Sequence, residues 1–301
     1  MTTREAARLL LNLDKEGART SYETLKTREC KNPGLSKMGL SALDYYFLEH
    51  RLKTKTKSGV SFSDILSDKK KLEHITSVAK RWNSDVDFET IAPRDLLRYR
   101  YYAFQLYYGT INQFRPTFAR WIFCQMKPKI GILDFSAGWG GRCLAAMSLG
   151  IPYIGVDANI SLEKSYQKMI RDYEPEAQDR VTMIFKPSET VDFSKYEYDL
   201  IFTSPPYFMI EKYENMPGYK TKEEFLDKFF RPVVQSAWKH LKRGGKMALN
   251  MPHEMYMAIK DELPKVSRRI QMPLYGRDTR KNKKEGTRRN KAHELVYVWN
   301  K

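Results

Sequence analysis

The sequence predicts an α/β fold, an open and mostly parallel sheet with helices on both faces, joined to an N-terminal helical module. Three observations carry this expectation. Five short apolar runs, at 130–133, 153–156, 181–185, 200–202 and 246–251, read as buried strands separated by stretches with helical spacing. After the first, Asp134-Phe135-Ser136-Ala137-Gly138-Trp139-Gly140-Gly141-Arg142 puts three glycines at a strand-to-helix turn. After the fourth, Thr203-Ser204-Pro205-Pro206-Tyr207-Phe208 puts two prolines where neither ladder nor helix bonds can continue, so a rigid exposed turn is expected.

Residues 1–112 are expected to form the helical module. Helical spacing runs through 6–13, 40–50, 75–82 and 96–108; Lys31-Asn32-Pro33-Gly34 is a turn and 53–59 a basic linker. Twenty Lys/Arg against fourteen Asp/Glu make the module basic. Target recognition falls to it because little chain is left for a separate reader between the glycine and Pro-Pro runs. Lys53, Lys55 and Lys57, with Arg51 and the lysines at 69–71, are candidates to grip phosphates, and a merely solvated face is the rival for such a run. Tyr99, Tyr101, Tyr102, Phe104, Tyr107 and Tyr108 alternate with arginines in a helix expected to pack the module on the core.

Residues 113–301 are expected to form the catalytic domain. Pro116 can open a helix that packs through Phe118, Trp121 and Ile122. The strand at 153–156 ends in Asp157, about 20 residues beyond the glycines, where a carboxylate can accept from both hydroxyls of a ribose; a helix N-cap fits Asp157 equally. A helix at 162–173 leads to the strand at 181–185. Residues 208–220 lack a clean period and read as an active-site flap. Thr221 with Glu224 forms a capping box for a helix over 222–241 that Pro232 kinks and Gly244-Gly245 ends.

The glycine run and the Pro-Pro run both end strands, so both emerge at the carboxyl edge of one sheet, where open α/β sheets bind ligands. The proline turn has a chemical use there. An exocyclic amine of adenine or cytosine is a poor nucleophile because its lone pair is delocalised into the ring. The Ser204 hydroxyl and Pro205 carbonyl, fixed as acceptors, would pull on its N–H bonds and free that pair, while Tyr207 offers a ring face for the base.

On these residues the chain resembles the S-adenosylmethionine-dependent amino-methyltransferases of nucleic acids, over roughly residues 114–250. The resemblance implies a Rossmann-like class I methyltransferase sheet, closed by an antiparallel hairpin from 270–275 and 294–299. It implies cofactor binding by Asp134, Ser136, Ala137, Gly138 and Gly140, ribose binding by Asp157, and a catalytic turn of Ser204, Pro205, Pro206 and Tyr207. Ser136 stands where the family has Phe. By the same resemblance Arg115 or Thr117 would hold the cofactor's carboxylate, and Glu189 or Asp192 its adenine amine. The implied reaction is site-specific methylation of cytosine N4 or adenine N6 in DNA, with base flipping and a place in restriction-modification; Ser204 leans toward cytosine N4. An RNA adenine or guanine amino-methyltransferase, which would use the same turn, remains the alternative. A protein glutamine methyltransferase and a catalytically silent nucleic-acid-binding subunit are the remaining rivals.

The charge agrees with a polyanionic partner. The chain of 301 residues carries a formal charge of +17. Between 277 and 291 eight Lys/Arg face two acids, and Arg280, Lys281, Lys283, Lys284, Arg288 and Arg289 in this hairpin loop are expected to contact phosphates. No run has the length and apolarity of a membrane span and no signal peptide opens the chain, so an intracellular protein is expected. Cys30, Cys124 and Cys143 are widely spaced and read as reduced thiols, and neither cysteines nor histidines show metal-ligand spacing.

Overall fold

Residues of one strand point alternately to opposite faces of its sheet, and here both faces are apolar. Ile132, Leu200, Phe202, Ala248, Val296 and Val298 enter one buried layer, and Leu133, Ile201, Met247, Leu249, Tyr297 and Trp299 the other. A sheet covered on both sides follows. The computed structural model describes residues 1–207, 218–273 and 293–301. Among them, the strands β1 (Ile132–Asp134), β2 (Tyr153–Asp157), β3 (Val181–Phe185), β4 (Leu200–Thr203), β5 (Lys246–Asn250), β6 (Arg268–Pro273) and β7 (His293–Asn300) form one sheet in the order β3-β2-β1-β4-β5-β7-β6. Strands β1 to β5 pair in parallel, and β7 lies antiparallel between β5 and β6. This is the sheet of the Rossmann-like class I methyltransferases.

The N-terminal half supplies α1 (Thr3–Leu11), α2 (Lys15–Lys26), α3 (Leu40–Lys53), α4 (Phe62–Ser67), α5 (Lys69–Trp82) and α6 (Pro93–Tyr107). Helix α2 has no counterpart in the sequence reading. Its buried stripe is only Ala18, Tyr22 and Leu25, too sparse to stand out as a period, and Asp14 caps it by accepting from the Gly17 amide. The apolar layers also cross position 112. Ala18, Tyr22, Leu25, Leu43 and Phe47 join the layer beneath the sheet, while Leu48, Leu52, Phe62, Ile75 and Phe104 form a separate core of the module. Tyr22 stacks on Tyr173 at 4.9 Å, and Tyr173 donates to the Ala42 carbonyl at 2.9 Å. Such a pair contributes about 0.5–1.5 kcal/mol beyond its area and helps fix α2 and α3 on the sheet's helices.

Six helices belong to the second half among the described residues: α7 (Pro116–Met126), α8 (Gly141–Met147), α9 (Glu163–Tyr173), α10 (Lys222–Phe225), α11 (Arg231–His240) and α12 (His253–Ile259). Between α10 and α11 the backbone widens to a π turn at Leu226–Phe230, with the Arg231 amide bonded to the Leu226 carbonyl. Pro232 is the cause, since it has no N–H to give the carbonyl one α-turn back. The expected kink is thus a local unwinding. Cys30 and Cys124, expected as reduced thiols, are joined in a disulfide with Cα atoms 5.9 Å apart, while Cys143 is buried and free. The two lie 94 positions apart, and only the fold of the 28–38 segment over α7 brings them together.

Candidate active site

The loop after β1 is shaped from behind by charge. Asp134 is fully buried and accepts from Arg142 Nε at 2.6 Å and from the Tyr153 hydroxyl at 2.5 Å; Arg142 also donates to the Ser136 carbonyl. A buried pair held this way is costly to break and fixes the loop. Glycine is required in two places. A Cβ on Gly140, at φ +76°, would press on Phe47, and one on Gly141 would lie 2.1 Å from the Phe114 carbonyl oxygen.

The loop and the proline turn open on one cavity of about 860 Å³, lined by Ser136, Ala137, Gly138 and Asp157 on one side and by Ser204, Pro205, Pro206 and Tyr207 on the other. Asp157 accepts from the Gly138 amide at 2.7 Å and the Asn159 amide at 2.9 Å. Burial pushes its carboxyl up to about 6 against the pull of those two amides.

Around the proline turn, Asn250 and Glu294 complete a polar cluster that the sequence did not single out. The Asn250 amide donates to the Leu295 carbonyl at 3.2 Å, which turns its oxygen toward the Ser204 hydroxyl at 3.2 Å and the Tyr207 hydroxyl at 3.4 Å. With its proton given to Asn250, Ser204 keeps its oxygen lone pairs for an incoming N–H. Tyr207 also lies 3.3 Å from Glu294 Oε2, and burial first, then Glu294, keeps the phenol protonated. The signal for Asn250 was its place at the end of a strand. Glu294 gave none, because β7 alone is antiparallel and its first residues reach the edge where the other strands end.

Several expected site residues stand elsewhere. Asp134 and Gly140 do not line the cavity; they lie behind the loop. Thr117 is buried and donates to the Ser36 carbonyl at 3.1 Å, away from the cavity. Arg115 reaches the cavity, with its guanidinium bonded to the Gly34 and Pro273 carbonyls at 2.5 Å each. Glu189 lines the cavity and accepts from the Tyr219 hydroxyl at 3.2 Å, whereas Asp192 caps its own turn through the Ser194 amide. Lys53, Lys55 and Lys57 are exposed around buried Thr54 and Thr56, and Lys53 pairs with Glu49 at 2.7 Å. Arg280, Lys281, Lys283, Lys284, Arg288 and Arg289, and residues 208–217 of the expected flap, lie outside the described residues.

The helical module supplies the remaining wall. Asp44 accepts from Arg51 at 2.6 Å and from Gln113 at 3.0 Å, and all three line the cavity. Arg51 Nε and Gln113 Oε1 are buried with no hydrogen-bond partner. Orphaned donor and acceptor sit beside a carboxylate, so this end still has polar demand of both signs. The residues therefore fit a nucleoside with a zwitterionic tail: Asp157 for ribose hydroxyls, and the Asp44 cluster for the tail.

No family model matches the chain, and no curated protein matches it in sequence. Solved structures similar to it include TrmN from Thermus thermophilus, at 13% identity over 75% of this chain and 78% of that one, with a TM-score of 0.43. A human methyltransferase 10 domain containing protein is 12% identical over 76% of this chain and 97% of its own, also at 0.43. A putative RNA methyltransferase from Pyrococcus horikoshii is 13% identical over 62% and 82%, at 0.39. Scores of this size carry no weight for activity; the fold rests on strand order and register.

Proposed function

We propose that the chain is an S-adenosylmethionine-dependent amino-methyltransferase of nucleic acid, acting on the exocyclic amine of adenine or cytosine in DNA. One observation carries the reading: a single cavity is walled by the glycine loop with Asp157 and by the Ser204–Tyr207 turn. Bound there, S-adenosylmethionine would supply an electrophilic methyl group: the N–C bond to the amine forms as the S–C bond breaks, S-adenosylhomocysteine is the leaving group, and the amine's proton passes to solvent.

The chain's own residues do the rest. Asp157 accepts from the ribose hydroxyls, Glu189 faces the adenine amine, and Asp44, Gln113 and Arg51 hold the amino-acid end. Ser204 Oγ and the Pro205 carbonyl accept the target's N–H bonds and draw its nitrogen toward a pyramidal, nucleophilic form. Asn250 holds the Ser204 proton so that the oxygen meets the amine as an acceptor. Tyr207, kept neutral, offers its ring to the base. In a duplex the exocyclic amine is engaged in base pairing, so the reading includes base flipping. The net positive charge and the exposed Lys53, Lys55 and Lys57 support a polyanionic substrate.

The test is incubation with labelled S-adenosylmethionine and unmethylated genomic DNA, with RNA in parallel, followed by mass spectrometry of the nucleosides. N4-methylcytosine or N6-methyladenine from DNA supports the reading. Label in RNA alone moves the substrate, and cofactor binding without label in either polymer would reject the activity.

A further inference from the structure

We propose that helix α6 carries the unpaired DNA strand that flanks the target base: Tyr102 stacks on a neighbouring base, and Arg94, Arg98, Lys55 and Lys57 grip its phosphates. The inference deepens the amino-methyltransferase reading, on which it rests, by naming single-stranded DNA as the form bound beside the cavity.

Helix α6 leaves one face unused by the fold. Leu97, Ala103 and Phe104 are buried in the module's own core. Its other rings are also engaged, Tyr99 against Phe88 at 5.4 Å, Tyr101 against Phe62 at 4.9 Å and Tyr108 against Phe104 at 5.6 Å, and Arg100 Nε donates to Thr76 Oγ1 at 2.9 Å. Tyr102 differs, with 56% of its surface exposed. Arg98 and Arg94 precede it at four-residue steps of about 6 Å along the same side of the helix. The Arg98 side chain is 60% exposed, and its 3.2 Å pair with Asp95 one turn back lies in solvent, where opening it costs little. Arg94 is half-buried with its Nε lacking a hydrogen-bond partner.

This face adjoins the cavity. Tyr101 and Gln105 line it, and Tyr102 stands about 100° further round the helix from Tyr101. Thr110, just past the end of α6, lines the cavity too. There Ser58 Oγ donates to the Tyr108 carbonyl at 3.3 Å, which fixes the linker carrying the exposed Lys55 and Lys57 at the same end of the helix. A strand whose target base sits in the cavity therefore meets cations at both ends of α6 and an open ring between them.

The ring decides the form of the strand. In a duplex each base face is covered by the adjacent pairs, whereas an unpaired base offers its face to a tyrosine and its backbone to arginine and lysine. The charge is complementary, since the module holds twenty Lys/Arg against fourteen Asp/Glu.

The test measures fluorescence anisotropy of a labelled single-stranded DNA, of the same sequence as duplex and of the same sequence as RNA. Wild type is compared with Tyr102→Ala, Tyr102→Trp and the double variant Arg94→Gln/Arg98→Gln, with cofactor affinity by calorimetry as the check that each is folded. Wild type should bind the single DNA strand about tenfold or more tightly than the duplex. Tyr102→Ala should lose about tenfold on the single strand with its salt slope unchanged, and Tyr102→Trp should keep the wild-type affinity. The double variant should lower the slope of log affinity against log salt by about 1.4, two phosphate contacts at about 0.7 each. Duplex bound as tightly as single strand, RNA bound more tightly than DNA, Tyr102→Ala binding like wild type, or Tyr102→Trp no better than Ala would each overturn the proposal. Transfer of labelled methyl to heat-denatured genomic DNA is followed alongside. Methyl transfer by wild type together with any of those binding results sinks this inference alone, whereas cofactor binding without label in either polymer rejects the methyltransferase reading and the inference with it.

Discussion

Replacing Asp157 with Asn should raise stability and weaken cofactor binding together, and the two effects have separate physical sources. Burial lifts the carboxyl from an ordinary 3.8 to about 6, so between those values the folded state holds a proton that the unfolded state has lost. Stability from this group is therefore fully present below about pH 4 and is lost as pH rises through 6. Two units correspond to about 3 kcal/mol as a ceiling. The side chain faces the cavity, so about 1–2 kcal/mol is the better figure. Asn removes the buried charge but cannot accept from both the Gly138 and Asn159 amides, returning about 1 kcal/mol. The net expectation is a gain on the order of 1 kcal/mol, about 1–3 °C in Tm, at neutral pH. That gain should vanish near pH 4. Over the same series, calorimetry should show cofactor affinity at neutral pH reduced by roughly 10- to 150-fold, the loss of a charged acceptor for two hydroxyls. Thermal melts across pH give the first effect and titrations the second. A variant less stable than wild type at neutral pH, or one binding the cofactor equally well, would refute the role given to Asp157.

Ser204→Ala and Asn250→Ala should each lower kcat by about 100-fold with little change in cofactor affinity, because both act on the amine and not on the nucleoside; equal loss of affinity in calorimetry rejects that division. Gly141→Ala should destabilise by about 2–4 kcal/mol in denaturant melts, since its Cβ would sit 2.1 Å from a backbone oxygen that cannot swing aside; an unchanged midpoint disproves that close approach. Neutralising Lys53, Lys55 and Lys57 together should flatten the salt dependence of nucleic-acid binding, read as the slope of log affinity against log salt. An unchanged slope removes that face from the interface.

By itself the sequence determined the sheet. Strands and the loops after them are local objects, and apolar runs ended by Gly138 and by Pro205-Pro206 announce both the strands and the edge they share. It also identified Asp157, Ser204 and Tyr207 as residues of that edge, since spacing from a strand end fixes where a side chain emerges. Only the tertiary structure decided the rest. Asp134 sits in the same run as Gly138, yet a buried bond to Arg142 takes it behind the loop; Thr117 sits beside Arg115, yet a carbonyl from the 28–38 segment turns it away from the cavity. Asp44, Gln113 and Glu294 reach the cavity from a helix, a connecting segment and an antiparallel strand far off in the chain. Their meeting depends on side-chain packing across layers, and that information is spread over many residues, none of which marks its partner in the one-dimensional order.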